Sequence, residues 1–325
     1  MQNTNNVVPV ILKSTRDGFG RALVELGAMN ANVVALTADL SESTRVEEFA
    51  ARFPERFFDV GVAEQNLMGV SAGLALSGKI PFAASYGVFS PGRNWDQLRV
   101  SVCYSNANVK IVSSHAGLMV GPDGATHQAL EDIAITRVLP NMTVVVPCDF
   151  LESTKATHAL ADFSGPAYLR LCREPCIALT DESTPFSIGK ANVMQLGSDV
   201  TIIGCGPILQ EAIKAADLLR RDSISVELIN LHTIKPIDVE TLTASVKKTG
   251  CVVTVEDHQI IGGMGSAVAE SLVKNFPVPI EFIGMQDSFG ESGKPQELLE
   301  KYGMTAHWIT RAVRQVIARK RMVSN

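Results

Sequence analysis

One acid poses the first chemical question of this sequence. Glu64 stands in the run FFDVGVAEQNLMGVSAGLALSG, residues 57–78, at a turn between a strand-like and a helix-like segment. Its neighbours are Val60, Val62, Ala63, Leu67 and Met68. Burial among apolar groups disfavours the charged form of a carboxylate, and such an acid can share a proton with a ligand nitrogen. An acid in the first turn of a helix is also what the helix dipole favours, so a structural role stays open. A second cluster lies in HAGLMVGPDGATHQ, where His115, Asp123 and His127 sit among three glycines. His127 is suited to general acid or base work near neutral pH. The alternative is a glycine-rich loop whose histidines cap the next helix. Phe89, in SYGVFSPGRNWDQLR, could stack on a planar ring or fill the core. Arg16 opens a helix, and Ser41 and Ser43 follow Asp39 after a strand. Helix N-termini, hydroxyls and a two-donor arginine suit a phosphate, while ordinary N-capping explains each residue singly.

These groups need a scaffold, and the hydrophobic pattern supplies one. Apolar β-rich runs at 33–37, 57–60, 81–84, 109–113, 143–147 and 167–171 alternate with helical patterns at 14–27, 63–78, 94–105, 130–139 and 151–161. A second set follows, with strands at 200–204, 226–230, 251–255 and 280–284 and helices at 208–220, 239–248, 266–274 and 305–319. Strands alternating with helices make parallel sheets. The expected fold is therefore α/β with two doubly wound, mostly parallel domains, at 1–178 and 197–325, joined by a Pro- and Gly-containing linker at 179–196. Loops at the carboxyl ends of parallel strands are where such folds bind ligands. The acid, the aromatic and the histidine loop all fall there.

Composition narrows the partners. The 325 residues are 46% hydrophobic and 19% charged, with net charge −5. The one basic run is Arg319-Lys320-Arg321, so a nucleic-acid surface is not expected. No apolar run reaches membrane-spanning length, and the opening MQNTNNVVPV has neither the basic nor the apolar region of a signal peptide. Six scattered cysteines without a C-x-x-C pair predict reduced, buried thiols and a cytoplasmic location. Gly204-Cys205-Gly206 and Gly263-Met264-Gly265 lack the third glycine or alanine of a dinucleotide fingerprint and predict tight turns. Glu256-Asp257-His258 reads as a strand-end turn.

Taken in order, TADLSES, DVGVAEQN, SYGVFSPGRNWDQ, HAGLMVGPDGATHQALED, LPNMTVVVPCD, YLRLCRE and FGESGKPQELLEKYG resemble the C-terminal half of transketolase. The resemblance covers about residues 16–302, and GVAEQN and GPDGATHQ are its most specific pieces. Relatives include 1-deoxyxylulose-5-phosphate synthase and the beta subunits of 2-oxo acid dehydrogenases, all of which bind thiamine diphosphate. GATHQALED looks more like transketolase. The resemblance implies a pyrimidine-binding domain followed by a C-terminal domain. It implies that Glu64 hydrogen-bonds the aminopyrimidine ring of thiamine diphosphate and so promotes loss of the thiazolium proton. Phe89 would stack on that ring, with Tyr86 beside it and Asp39 facing the cofactor. His127 would contact substrate hydroxyls and move protons, and Asp123 would read a hydroxyl. Arg16, Ser43, His115 and Arg173 would grip the sugar phosphate, with Arg170 as the alternative to Arg173.

Two departures bear on the assembly. Asn66 stands where the family often has histidine. The G-D-G…N-N segment that holds magnesium and the diphosphate in this family is not found, and the chain has no metal ligand set of its own. The implied activity is that of one subunit of a split transketolase, with a separate N-terminal subunit holding the diphosphate and Mg²⁺ and two copies of each forming a heterotetramer. Alone, the chain would be inactive and could pair with itself through faces beside the site. Two competing expectations are half of a synthase- or dehydrogenase-like enzyme that decarboxylates a 2-oxo acid, and a non-catalytic paralogue with the same fold.

Overall fold

The computed structural model describes residues 12–323. The opening segment read for a signal peptide lies outside them. The strands are β1 (Val33–Thr37), β2 (Phe57–Asp59), β3 (Ile80–Tyr86), β4 (Lys110–Ser114), β5 (Thr143–Val145), β6 (Ala167–Arg170), β7 (Asn192–Gln195), β8 (Val200–Gly204), β9 (Val226–Asn230), β10 (Thr233–Lys235), β11 (Val252–Gln259) and β12 (Ile280–Met285). They form two sheets, in the orders β10-β5-β6-β4-β3-β1-β2 and β12-β11-β8-β9-β7. Each is parallel except at one edge, where β10 runs antiparallel to β5 and β7 antiparallel to β9. Central strands such as β1, β4 and β8 are buried along their whole length, as continuous Val/Ile-rich strands covered on both faces must be.

Two strands escape the sequence reading. β7 lies within the expected linker, and β10 crosses from the C-terminal half to complete the first sheet. Both are three- or four-residue edge strands, too short to show a period. The placement of β10 ties the two halves together. A single apolar cluster holds Leu36, Ile111 and Val144 of the first sheet together with Ile203, Ile229 and Val252 of the second.

β11 also runs further than expected, through Gln259. Glu256, Asp257 and His258 are therefore buried strand residues rather than an exposed turn. The two glycine pairs make turns, as expected. Gly206, at φ 72°, precedes the helix Leu209–Arg221, and Gly263 precedes the helix Met264–Asn275. The N-terminus of the latter is satisfied internally, because Met264 and Gly265 donate their N–H groups to the Glu256 carboxylate at 2.6 and 2.8 Å. A helix end already holding its own anion has no place for a nucleotide phosphate.

Candidate active site

Four neighbouring parallel strands, β4, β3, β1 and β2, deliver the site residues from their carboxyl ends. β1 ends before Asp39 and Ser43. β2 leads to Glu64, β3 ends at Tyr86 before Phe89, and β4 ends directly before His115.

Glu64 is the first residue of the helix Glu64–Leu76 and is 4% exposed. Leu67, Met68, Ser71 and Ala72 bury the inner face of that helix, while Gln65, Asn66, Gly69 and Gly73 face outward. Burial of the acid is as the apolar neighbours predict, with a partner that the sequence reading lacked. Arg93 Nη1 lies 3.0 Å from Glu64 Oε1, and the same guanidinium lies 4.1 Å from the Phe89 ring centroid. Asn94 donates to the Glu64 carbonyl at 3.1 Å, which fixes the start of the helix. The preceding turn is set by Asp59, whose Oδ1 accepts the N–H groups of Asp39 and Gly61 at 3.0 and 2.9 Å. Asp39 itself is exposed and holds a left-handed backbone at φ 60°. Such strain in a non-glycine residue concentrates at functional sites.

The aromatic platform is continuous. Tyr86 stacks on His115 with ring centroids 3.8 Å apart and lies 5.8 Å from Phe89. His127 meets Phe89 edge-on at 5.5 Å and Tyr86 at 6.2 Å. Two loops distant in sequence thus place both histidines against the aromatic pair.

A cationic corner adjoins His115. The helix Thr15–Met29 begins with a capping box in which Ser14 and Asp17 satisfy each other's N–H groups. Thr15 Oγ1 accepts the Cys172 N–H at 2.7 Å, which pins this helix start beside the segment carrying Arg173. Arg16 Nη1 donates to the Ser43 carbonyl at 2.8 Å, and Arg16 Nε is buried with no hydrogen-bond partner. Burial and the neighbouring Arg45 charge hold the Arg16 guanidinium below the usual range. Arg173 pairs with Asp123 at 3.2 Å. His115, at φ 55°, shares a 2.7 Å hydrogen bond with Ser114 Oγ. Burial, and then the charges of Arg16 and Arg173, push His115 down to about 3, so it stays neutral in this cationic setting. Arg170, by contrast, is withdrawn from the site. It is buried against Asp132 at 2.7 Å, which removes it as the alternative to Arg173.

A buried acid beside an aromatic face suits the pyrimidine end of thiamine diphosphate, since one can hydrogen-bond the ring nitrogen and the other can stack. The unpaired Arg16 Nε and the surrounding cations suit an oxyanion. Among the described residues, no group of three or more His, Cys, Asp or Glu side chains is arranged to hold a metal ion. Arg93, Asp59 and Asn94 were missed in the sequence. Arg93 lies four residues after Phe89 in a stretch of turns, where no periodic pattern flags it.

Comparison with known proteins places this architecture. The family described as transketolase, pyrimidine binding domain matches residues 13–176, and transketolase, C-terminal domain matches residues 189–309. The chain therefore belongs to the transketolase family. It is 43% identical over 305 residues to a 6-deoxy-6-sulfo-D-fructose transketolase subunit of a Clostridium species, covering 94% of this chain and 95% of that protein. It is 36% identical over 304 residues to an apulose-4-phosphate transketolase subunit of Phocaeicola vulgatus, covering 93% and 97%. A solved structure described as a split gene transketolase, inactive beta4 tetramer, is 46% identical, with TM-score 0.89 and coverage of 94% of this chain and 99% of that one. These matches are to transketolase subunits, in line with the main expectation and not with its synthase or dehydrogenase alternative.

Proposed function

We propose that this chain is the C-terminal subunit of a two-subunit transketolase, moving a two-carbon ketol unit between sugar phosphates. The observation that carries this is the convergence of a buried acid, an aromatic platform, two histidines and a cationic corner at the carboxyl ends of four adjacent strands. Thiamine diphosphate supplies, when bound, a carbon nucleophile and an electron sink for the two-carbon fragment. Glu64 holds a proton at the pyrimidine nitrogen, and Phe89, with Tyr86 behind it, stacks on the ring. Arg93 now covers that ring face and pairs with Glu64. The Arg93 head is half exposed and free to swing aside, while the buried Glu64 then takes the cofactor nitrogen as its new partner. His127 moves protons at the substrate hydroxyls, and Asp123 orients one of them. Asp39 lines the cofactor side. Arg16, Arg173, His115 and Ser43 hold the terminal anion.

A separate N-terminal subunit completes the site with diphosphate and Mg²⁺ ligands. Two features support this. The chain lacks a metal cluster among its described residues, and two of its relatives are described as subunits. The 360 Å³ cleft lined by Arg137, Lys235 and Glu270 lies apart from the site residues. Exposed apolar groups flank the Glu64 helix, with Val62 69% and Tyr104 87% exposed, and suit burial against a partner or a second copy. Six free, buried cysteines support a reducing, cytoplasmic setting. Among the described residues, no helix is long and apolar enough to cross a membrane.

The test is a two-substrate assay. The chain is mixed with an N-terminal transketolase subunit, thiamine diphosphate, Mg²⁺, a ketose phosphate and an aldose phosphate acceptor. Turnover by the pair and by neither chain alone is expected. Decarboxylation of pyruvate without ketol transfer would overturn the reading.

A further inference from the structure

The loop that carries His115, Asp123 and His127 belongs to the first sheet, yet its anchor does not. Leu118 and Met119 donate their backbone N–H groups to the two carboxylate oxygens of Asp257, at 2.7 and 3.2 Å. Asp257 lies on β11 of the second sheet and is buried. Gly117, at φ +91°, packs so closely that a Cβ there would sit 2.1 Å from Asp257 Oδ2. The Asp257 main chain is held in turn, because Arg170 donates to its carbonyl at 2.8 Å while paired with Asp132. The far end of the loop is tied to the same half of the chain, where Gln128 Nε2 donates to the Glu291 carbonyl at 2.9 Å.

We propose that Asp257 is a positioning residue, through which the C-terminal domain sets the substrate loop 115–128. This rests on the sugar-phosphate reading of that loop given above. A carboxylate is the group the geometry requires. It accepts both N–H groups at once, whereas an asparagine amide offers one acceptor oxygen and turns an NH₂ toward the other N–H. Loosening the Leu118 and Met119 amides releases the turn between His115 and Asp123, the two ends of the cationic corner. The strand residue thus acts on substrate geometry without touching substrate.

Glu256 provides a matched control on the same strand. It is equally buried and also accepts two backbone N–H groups, those of Met264 and Gly265, but it holds a helix of its own domain and not the loop. The experiment compares Asp257→Asn with Glu256→Gln in two assays. Hydrogen exchange is read by mass spectrometry on the peptide 115–128 in the folded chain. The KM for a ketose phosphate and the Kd for thiamine diphosphate are read in the assembled pair. For D257N, loop exchange is expected to quicken about tenfold. Its KM should rise about tenfold while cofactor affinity stays within about twofold, as for loss of a charge-assisted contact to the substrate side alone. E256Q should leave loop exchange and the KM as in the wild type. Equal effects from both variants, or an unchanged loop in D257N, would overturn the proposal.

The exchange assay needs no activity. If the wild-type pair transfers no ketol unit, the functional reading fails while exchange still decides the role of Asp257. In the wild-type chain the Leu118 and Met119 amides should exchange far more slowly than those of exposed Ala125 and Thr126. Comparable rates would overturn the proposal even if D257N does not fold.

Discussion

Two polar regions of this chain, built from the same kinds of residue, end in opposite states. At the cationic corner Arg16 keeps a buried Nε without a partner, Arg173 and Asp123 are partly exposed, and His115 is held neutral by burial and then by its arginine neighbours. At the seam between the sheets, Arg170 spends its donors on Asp132 and on the carbonyls of Ala129 and Asp257, and Tyr168 completes the network at 2.7 Å from Asp132. Full burial and this pairing leave the seam nothing to offer a ligand. The corner, where Arg16 has no acid partner among the described residues and keeps one donor unfilled, has room for an anion. The contrast separates site from scaffold by physical criteria, since a fully partnered buried network is scaffold, whereas an unfilled arginine donor beside a stacked aromatic and histidine platform leaves a place for a ligand.

The largest effect should come from breaking the seam. Arg170→Met leaves Asp132 charged, buried and unpaired, and should lower unfolding free energy by about 3–5 kcal/mol in denaturant titration. At the site the ranking reverses, with activity lost and stability kept. Glu64→Gln should cut ketol transfer by the assembled pair at least about 10²-fold, the scale of lost proton-transfer catalysis, while the midpoint of unfolding stays close to that of the wild type. Arg16→Gln should raise the KM for a sugar phosphate about tenfold and change the stability of the free chain by less than about 0.5 kcal/mol. Equal destabilisation by R16Q and R170M would erase the distinction between the two regions.

The smallest effect is also the sharpest, because His115 at the corner and Glu256 on β11 should respond to pH with opposite sign. His115 falls to about 3 in the folded chain against about 6.5 unfolded, so the stability it contributes is present above pH 6.5 and is lost as pH falls toward 3. Glu256 is pushed up by burial to about 7, so its contribution is present below about pH 4.5 and is lost as pH rises to 7. The deficit of His115→Asn relative to wild type should therefore shrink on acidification, and that of Glu256→Gln should shrink on going from pH 4.5 to 7. Unfolding curves at four or five pH values check both slopes.

Much of this was legible in the sequence because it is local. The central strands are uninterrupted apolar runs, and β1, β8 and β9 fall at the expected boundaries. Glu64, Phe89 and the histidine loop stand out as polar or aromatic residues at strand ends. What stayed hidden depends on long-range partners. Arg93 over Phe89, the pairing of Arg170 with Asp132 and the hold of Asp257 on Leu118 need the tertiary fold, since the last pair is 139 residues apart. β7 and β10 are invisible for another reason. They are short edge strands whose existence is decided by the neighbour they complete rather than by their own composition.

The central claim is that this chain presents half of a cofactor site. It is tested most directly by titrating thiamine diphosphate with Mg²⁺ calorimetrically into the chain alone and into the chain with an N-terminal transketolase subunit. Tight binding only in the presence of the partner is the predicted result. Tight binding to the chain alone, or none with the partner present, would contradict it.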